Sequence, residues 1–361
     1  MTTTEAVPRT AGTAPEISRA HTLKQVLQVQ SFQILLVLLV IFLAFSALAP
    51  EVFPTWGNVR QIIQNVSILG VLGIGMTFVI VTSGIDLSIG SNLVFSGVVA
   101  AKVMQAMDGS GWGTAIVGIL VAVGCGVGWG LLNGVLIAKA KVPPLIVTLG
   151  TLGGALGLAQ VITGGVDIRE VPAVLQDSIG YGNVPGTTLP TISLIAMVLI
   201  LIFGTVLHRT RFGLYTFAVG SNEESARRVG VKVDRQLISI YVLSGGLAGV
   251  AGILSLSQYG TTAIAGQSAT NLNVIAAVVI GGTSLFGGVG TIFGTVVGLF
   301  IPAVLQNGFV IVGIQPFWQQ VAVGAVLVLA VYVDQRRRAA AARGHAAKAD
   351  GKKKVFGLRS S

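Results

Sequence analysis

The chain has 361 residues, of which 53% are hydrophobic and only 10% are charged, whereas soluble domains carry about 25% charged residues. This composition excludes an ordinary soluble domain and predicts an all-α polytopic membrane protein. The formal net charge of +10 does not predict nucleic-acid binding, because the Lys and Arg residues fall in tails and in loops between apolar segments.

The amino-terminal segment, residues 1–30, is polar and rich in Thr and Ala, which predicts a disordered cytoplasmic tail. It contains no short apolar core followed by a small-residue cleavage site, so we expect no removable signal peptide. Residues 31–335 are predicted to form the transmembrane domain. The last segment, residues 336–361, is rich in Ala, Lys and Arg and predicts a basic cytoplasmic tail that contacts anionic lipid.

About ten apolar segments approach the length that crosses a bilayer. They are centred on Val40, Gly75, Val98, Val123, Gly154, Val198, Gly249, Val279, Val297 and Leu327. An even number of spans places both termini on one side, and the positive-inside rule then puts 20 of the 23 Lys and Arg residues in the cytoplasm. We therefore expect a multi-pass protein of the bacterial cytoplasmic membrane. The Gly-rich eighth and ninth segments are alternatively broken or re-entrant.

Glycine is unusually frequent, with 49 residues, and it is concentrated in runs such as 118–134 and 281–298. Small residues let membrane helices approach closely, so these runs predict a tightly packed bundle. An alternative for individual glycines is local unwinding of a helix beside a transport pathway.

Motifs for catalysis are missing from the sequence, which contains no GxxxxGK[ST] phosphate loop, no HExxH pair and only one cysteine, Cys125. We therefore expect neither an enzyme, nor a metal site, nor a bound cofactor. The predicted spans are also nearly free of charged side chains, which argues against a carrier driven by protons or sodium.

One polar loop, residues 208–236, contains a short segment with every local signal of a helix. Asn222 is a favoured N-cap, and Gly230 is a favoured terminator. The intervening residues place acidic side chains (Glu223, Glu224) in the first turn and basic ones (Arg227, Arg228) in the last, as the helix dipole favours. A helix of about two turns is marginal alone, so we expect it to dock onto a partner. The alternative is a surface helix that only anchors its loop.

Neutral polar side chains at or within the spans are candidates for a transport pathway or gate. They are Asn65, Ser88, Asn92, Thr148, Thr151, Asn273 and Thr283, together with the acidic Asp86. Such groups can hydrogen-bond a neutral, hydroxyl-rich solute. For each of them the alternative is a hydrogen bond between helices, and for Asp86 the alternative is capping of the third helix.

Five segments in order resemble the ribose-type permease family of bacterial ABC importers. They are Gly84–Ser88, Val142–Thr151, the capped loop helix, Gly281–Gly288, and Asn307-Gly308 through Pro316–Gln320. The resemblance covers residues 30–338. It implies a permease subunit, normally two per complex, coupled to two cytoplasmic ATPase domains and supplied by an extracytoplasmic sugar-binding protein.

Under this resemblance, the loop helix is the coupling helix that contacts the ATPase. The implied contact residues are Gly220, Asn222, Glu223, Glu224, Ala226, Arg227 and Gly230. Ser225, Arg228 and Val229 depart from the family pattern. Two further departures, Leu156 in place of an Arg and Val323 in place of a Lys, leave the bundle less polar than is usual in the family.

We therefore predict the permease subunit of an ABC importer that moves a small hydrophilic solute, a monosaccharide such as ribose or a related sugar, by alternating access. The expected partners are the ATPase subunits, the binding protein, a second permease chain (a copy or a paralogue) and membrane lipid, with no nucleic acid. The alternative is a stand-alone ion-coupled or passive solute carrier.

Overall fold

A computed structural model of the chain describes residues 30–264 and 270–315, and in the last helical region residues 318, 320–325, 328–329, 331–332 and 335–336. Apart from one residue at each boundary, the two predicted tails lie outside this part of the chain. So does much of the predicted tenth span around Leu327.

The described residues form helices and connecting turns, with one isolated β-bridge between Asn183 and Pro190. The helices are α1 (Gln30–Leu48), α2 (Trp56–Val81), α3 (Ile89–Ala106), α4 (Trp112–Ala138), α5 (Pro144–Thr163), α6 (Thr191–Arg209), α7 (Arg211–Ser221), α8 (Glu223–Arg228), α9 (Val233–Tyr259), α10 (Thr270–Ile280) and α11 (Ile292–Ile311). Two short turns, Ala173–Leu175 and Gln176–Gly180, lie between α5 and α6. The predicted all-α class is confirmed.

Seven of these helices, namely α2, α3, α4, α5, α6, α9 and α11, are long and apolar enough to cross a membrane. The first nine predicted spans each coincide with a helix. The eighth predicted span is broken, because α10 ends at Ile280 and gives way to the irregular segment 281–291. The ninth, α11, is continuous through Pro302.

The centre of the bundle is formed by α2, α3 and α9, since 83%, 67% and 61% of their most apolar stretches are buried, compared with 22% for α6. Glycine determines how closely α9 and α4 pack. A methyl group at Gly126 would overlap the carbonyl oxygen of Gly245, and one at Gly130 would overlap that of Tyr241. Gly128, on the other face of α4, has no neighbouring atom within 4 Å of such a methyl group. The prediction of tight glycine-mediated packing holds for one face of α4.

Contacts between loops define two ends of the bundle. At one end, the loops after α2, α4 and α10 meet α7–α9, as in the hydrogen bonds from Ser83 to Phe286 and from Lys141 to Asp234. We call this the basic end, because it carries the Lys and Arg residues of 139–141 and 209–235. At the opposite end, Asp167 accepts a hydrogen bond from Thr262.

Candidate functional site

The predicted loop helix is present as α8 at the basic end. Asn222 occupies the N-cap, and its side-chain oxygen accepts a hydrogen bond from the Ser225 backbone N–H at 2.7 Å. The backbone of Asn222 is extended (φ −164°), as an N-cap requires. Glu223 and Glu224 fall in the first turn, and Arg227 and Arg228 in the last. The local prediction of a capped helix is therefore confirmed.

The carboxyl end of α8 closes with two hydrogen bonds that are typical of a Schellman motif. The Val231 N–H donates to the Ala226 carbonyl at 3.1 Å, and the Gly230 N–H donates to the Arg227 carbonyl at 3.1 Å. Gly230 has a positive φ of 89°, which a glycine adopts without the steric strain of a side chain. Both ends of a helix of only six residues are thus fixed by local hydrogen bonds.

One small apolar side chain attaches α8 to the bundle. Ala226 is 4% exposed and packs in a separate apolar cluster with Val219 of α7 and Val233 of α9. The other side of α8 faces outward, and Val229, directly after it, is 80% exposed. The helix is therefore held by its inner face, and its charged face is available for contact.

The charged side chains of α8 form ion pairs at the surface. Arg227 donates to Glu223 at 3.1 Å and to Asp234 at 2.8 Å, and Lys141 donates to the same Asp234 oxygen at 3.1 Å. The hydrogen bond to Asp234 raises the pKa of the Arg227 guanidinium above its ordinary value. Asp234 thereby links α8 to the loop between α4 and α5, although each exposed pair contributes little stability by itself.

Gly220, near the end of α7, lies where three segments of main chain meet. A Cβ atom there would overlap the carbonyl oxygen of Val81 and would lie 2.9 Å from the backbone nitrogen of Gly288. The Gly288 N–H donates to that same Val81 carbonyl at 2.9 Å. The Ser83 hydroxyl donates to the carbonyls of Gly220 (3.2 Å) and Phe286 (2.8 Å). We call this contact of α7, the end of α2 and the 281–291 segment the glycine junction.

Four of the predicted pathway residues lie close to one another at the basic end. In the α2–α3 connection, the N–H and the hydroxyl of Ser88 both donate hydrogen bonds to the Asp86 carboxylate. The Thr148 hydroxyl donates to the Ile85 carbonyl of the same connection at 3.1 Å. Asn92, one turn into α3, donates to the Gly126 carbonyl at 3.4 Å. These contacts join α3 to α4, and the α2–α3 connection to α5, in agreement with the alternative of hydrogen bonds between helices.

The predicted alternative that Asp86 caps the third helix is wrong. Ser88, not Asp86, occupies the N-cap position of α3. Asp86 instead accepts a hydrogen bond from the Ser88 N–H at 2.9 Å, because it precedes the cap by two residues and closes a turn ahead of the helix.

The remaining predicted pathway residues are dispersed. Asn65 lies at the opposite end and accepts a hydrogen bond from the Tyr259 hydroxyl at 3.0 Å, and Thr151 donates only to carbonyls of its own helix. Asn273 is half-buried in α10. Thr283 is 1% exposed in the 281–291 segment. The eight candidates therefore do not form a single site among the described residues.

Sequence reasoning missed two side chains beside Asp86. Ser244 and Tyr241, one turn apart on α9, are both buried, and the Ser244 hydroxyl donates to Asp86 at 3.2 Å. Nothing local in the sequence distinguishes either residue, because their importance depends on where α9 crosses the α2–α3 connection.

A bundle with seven membrane-length helices among its described residues, and with a fixed polar helix at its basic end, has the architecture of a polytopic membrane protein. Residues 58–331 match the family described as the permease component of the branched-chain amino acid transport system. The chain is 36% identical over 295 residues to the ribose import permease of Escherichia coli (strain K12), covering 81% of this chain and 90% of that one.

Two further relatives are permeases for other sugars. The chain is 36% identical over 305 residues to the fructose import permease of Rhizobium meliloti, covering 83% of this chain and 84% of that one. It is 35% identical over 286 residues to the L-arabinose ABC transporter permease of Azospirillum brasilense, covering 79% and 82%. No solved structure matches the chain at a comparable significance. The chain therefore belongs to the permease family that matches residues 58–331, and within it to the permeases of sugar ABC importers.

Proposed function

We propose that this chain is the membrane-spanning subunit of a bacterial ABC importer that moves a monosaccharide into the cell by alternating access. ATP is hydrolysed on partner ATPase subunits, and an extracytoplasmic binding protein delivers the sugar. The relatives named for ribose, fructose and L-arabinose support a monosaccharide as cargo. Their membership in ABC systems favours this function over a stand-alone carrier.

In the proposed orientation, the basic end and both termini lie in the cytoplasm. The positive-inside rule supports it, since short loops rich in Lys and Arg stay on the cytoplasmic side. The opposite end, which carries Asp108, Asp167, Glu170 and Asp177, then faces the binding protein. A second permease chain, identical or paralogous, completes the membrane part of the complex, and lipid surrounds it.

The observation that carries the proposal is α8 itself, which we assign as the ATPase-coupling helix. It is held at both ends and through Ala226, while its four charged side chains are exposed. Adjacent to it, the glycine junction joins α7 to the end of α2 through main-chain atoms. A displacement of α8 would therefore be transmitted through α7 to α2, the most buried of the membrane-length helices. The contact between α7 and α2 is made by main-chain atoms, so no flexible side chain would absorb the movement.

A cavity of about 600 Å³ at the opposite end supports a neutral cargo. Its lining contains the amide side chains of Asn58, Gln61, Asn65, Gln306 and Asn307, with Tyr259 and several apolar residues, and no charged residue is among the described lining residues. Amide groups both donate and accept hydrogen bonds, as the hydroxyl groups of a sugar require.

The coupling assignment is tested with a variant that changes only exposed atoms of the α8 region: Glu224→Arg with Arg228→Glu and Val229→Asp. The swapped charges can still pair within the helix, and placing them against the helix dipole costs only about 0.3–1 kcal/mol per charge at an exposed site. The chain should therefore insert and fold normally. We expect co-purification of the ATPase and ATP-dependent uptake to fall by about tenfold or more, as at an interface hot spot.

The matched control is Gln105→Ala, an exposed change at the opposite end, which should leave assembly of the ATPase intact. Undiminished assembly and uptake in the α8 variant would contradict the assignment. Uptake that follows a proton or sodium gradient without ATP would instead support the stand-alone carrier.

A further inference from the structure

A single acidic side chain is buried among the described residues. Asp86 is 3% exposed and lies in the connection between α2 and α3. Burying an ionised carboxylate is costly unless it is hydrogen-bonded and its charge is balanced. No Lys, Arg or His among the described residues forms an ion pair with it.

All three hydrogen bonds to Asp86 come from neutral donors. Its Oδ1 accepts from the Ser88 N–H at 2.9 Å and from the Ser88 hydroxyl at 2.6 Å, and its Oδ2 accepts from the Ser244 hydroxyl at 3.2 Å. Burial raises the pKa of Asp86, and the hydrogen bonds from Ser88 and Ser244 oppose that rise because they favour the charged form. What these donors do not supply is a cation, since no Lys, Arg or His among the described residues pairs with Asp86.

Two further oxygen atoms beside this carboxylate lack partners. Asn133 of α4 donates through its Nδ2 to the Ser88 hydroxyl at 2.9 Å, while its Oδ1 has no hydrogen-bond partner. The Tyr241 hydroxyl is also without one, and it lies 2.7 Å from where a Cβ atom of Gly84 would be, which places it against the same connection. Both side chains are only 1% exposed.

We propose that this cluster binds a dehydrated sodium ion, with oxygen atoms of Asp86, Ser88, Ser244, Asn133 and Tyr241 as the set from which its ligands are drawn. Hard cations prefer oxygen ligands, and a single carboxylate matches a single positive charge, whereas calcium sites usually supply several carboxylates. A proton alone would remove the charge on Asp86 but leave the Asn133 and Tyr241 oxygens without partners. A water molecule alone would give those oxygens a partner but leave the charge unbalanced. A single sodium ion does both.

The ion would hold the α2–α3 connection against α4 and α9 at the basic end, so its effect is on stability. The proposal does not depend on the identity of the cargo or on the presence of an ATPase. It is therefore testable on the purified chain alone, with sodium chloride as the probe.

The experiment follows thermal unfolding of the detergent-purified chain in NaCl, KCl and choline chloride at equal ionic strength. We expect the unfolding midpoint to be highest in NaCl and to rise with sodium concentration, because a ligand that binds only the folded state stabilises it. Asp86→Asn keeps a similar shape and removes the charge, so this variant should unfold at the same temperature in all three salts.

Ser244→Ala provides a second variant should Asp86→Asn not fold. It should keep the sodium response but raise the half-saturating sodium concentration by about tenfold, the scale of effect seen when a group supporting a metal site is removed. Ser257→Ala is the matched control, since Ser257 is equally buried on α9 but donates to its own helix at Ile253; its sodium response should equal that of the wild type. Identical midpoints of the wild type in the three salts would overturn the proposal.

Discussion

At the scale of single residues, Asn222 determines where α8 begins. Its side-chain oxygen accepts the Ser225 N–H, and its own N–H donates to the Ala218 carbonyl that ends α7 at 3.1 Å. One residue thus ends one helix and begins the next. The break between α7 and α8, beside the proposed ATPase contact, depends on this double role.

Asn222→Ala should loosen α8, because loss of an N-cap costs about 1 kcal/mol. We expect faster hydrogen exchange for the amides of residues 223–228, measured by mass spectrometry, with little change in the spans. Asn222→Asp keeps an acceptor at the cap and suits the helix dipole, so it should exchange like the wild type. Unchanged protection in the alanine variant would show that the cap does not hold the helix.

The residues of α8 were predictable because capping, charge placement and termination depend on neighbours within a few positions. The partners of Gly220 and Ser244 were not, because Val81, Gly288 and Asp86 lie far away along the chain. A sequence shows that Gly220 has no side chain, but not which carbonyl approaches it.

At the scale of elements, the contact of α4 with α9 is made on one face of α4, along Gly126, Gly130 and Gly134. Backbone atoms of the two helices meet there directly, so the helices cannot accept even one methyl group without moving apart. The composition predicted close packing but did not show which glycines face the partner helix.

Gly130→Ala should lower the unfolding midpoint of the purified chain, since overpacking a close contact costs about 1–3 kcal/mol. Gly128→Ala is the matched control on the same helix, because its added methyl group meets no atom within 4 Å. Alanine also favours helix over glycine by about 1 kcal/mol, so this variant should be unchanged or slightly more stable. Equal midpoints for the two variants would contradict the assigned packing face.

Helix lengths were predicted less well than helix positions. The eighth apolar segment has the composition of a span, yet α10 stops after Ile280 and the chain turns through glycines 281–290. That irregular backbone is covered by α2 and α7 at the glycine junction, which fits the rule that non-helical backbone in a membrane protein lies against protein.

At the scale of the whole molecule, the distribution of charge predicts the orientation. The basic end includes Lys139, Lys141 and the positive residues of 209–235. Because this bias lies in short loops, it is of the kind that determines topology.

Orientation is measurable by labelling single cysteines with a membrane-impermeant maleimide, after replacement of the natural thiol by Cys125→Ser. We expect Thr188→Cys, exposed at the opposite end, to react in intact spheroplasts. Ser225→Cys, exposed on α8, should react only after the membrane is opened. The reverse pattern of labelling would place the basic end outside and exclude its proposed contact with a cytoplasmic ATPase.

The glycine junction also has a consequence for how this protein can change over generations. Its contacts are made largely by main-chain atoms, which all residues except proline share. Changes of side chain at other positions therefore cannot easily restore these contacts once they are lost. If Gly220 were replaced by a larger residue, α7 would have to move away from the end of α2 to relieve the overlap with the Val81 carbonyl. We therefore expect position 220 to reject every residue larger than glycine, while the outward face of α8 beside it can vary with the ATPase that we propose it contacts.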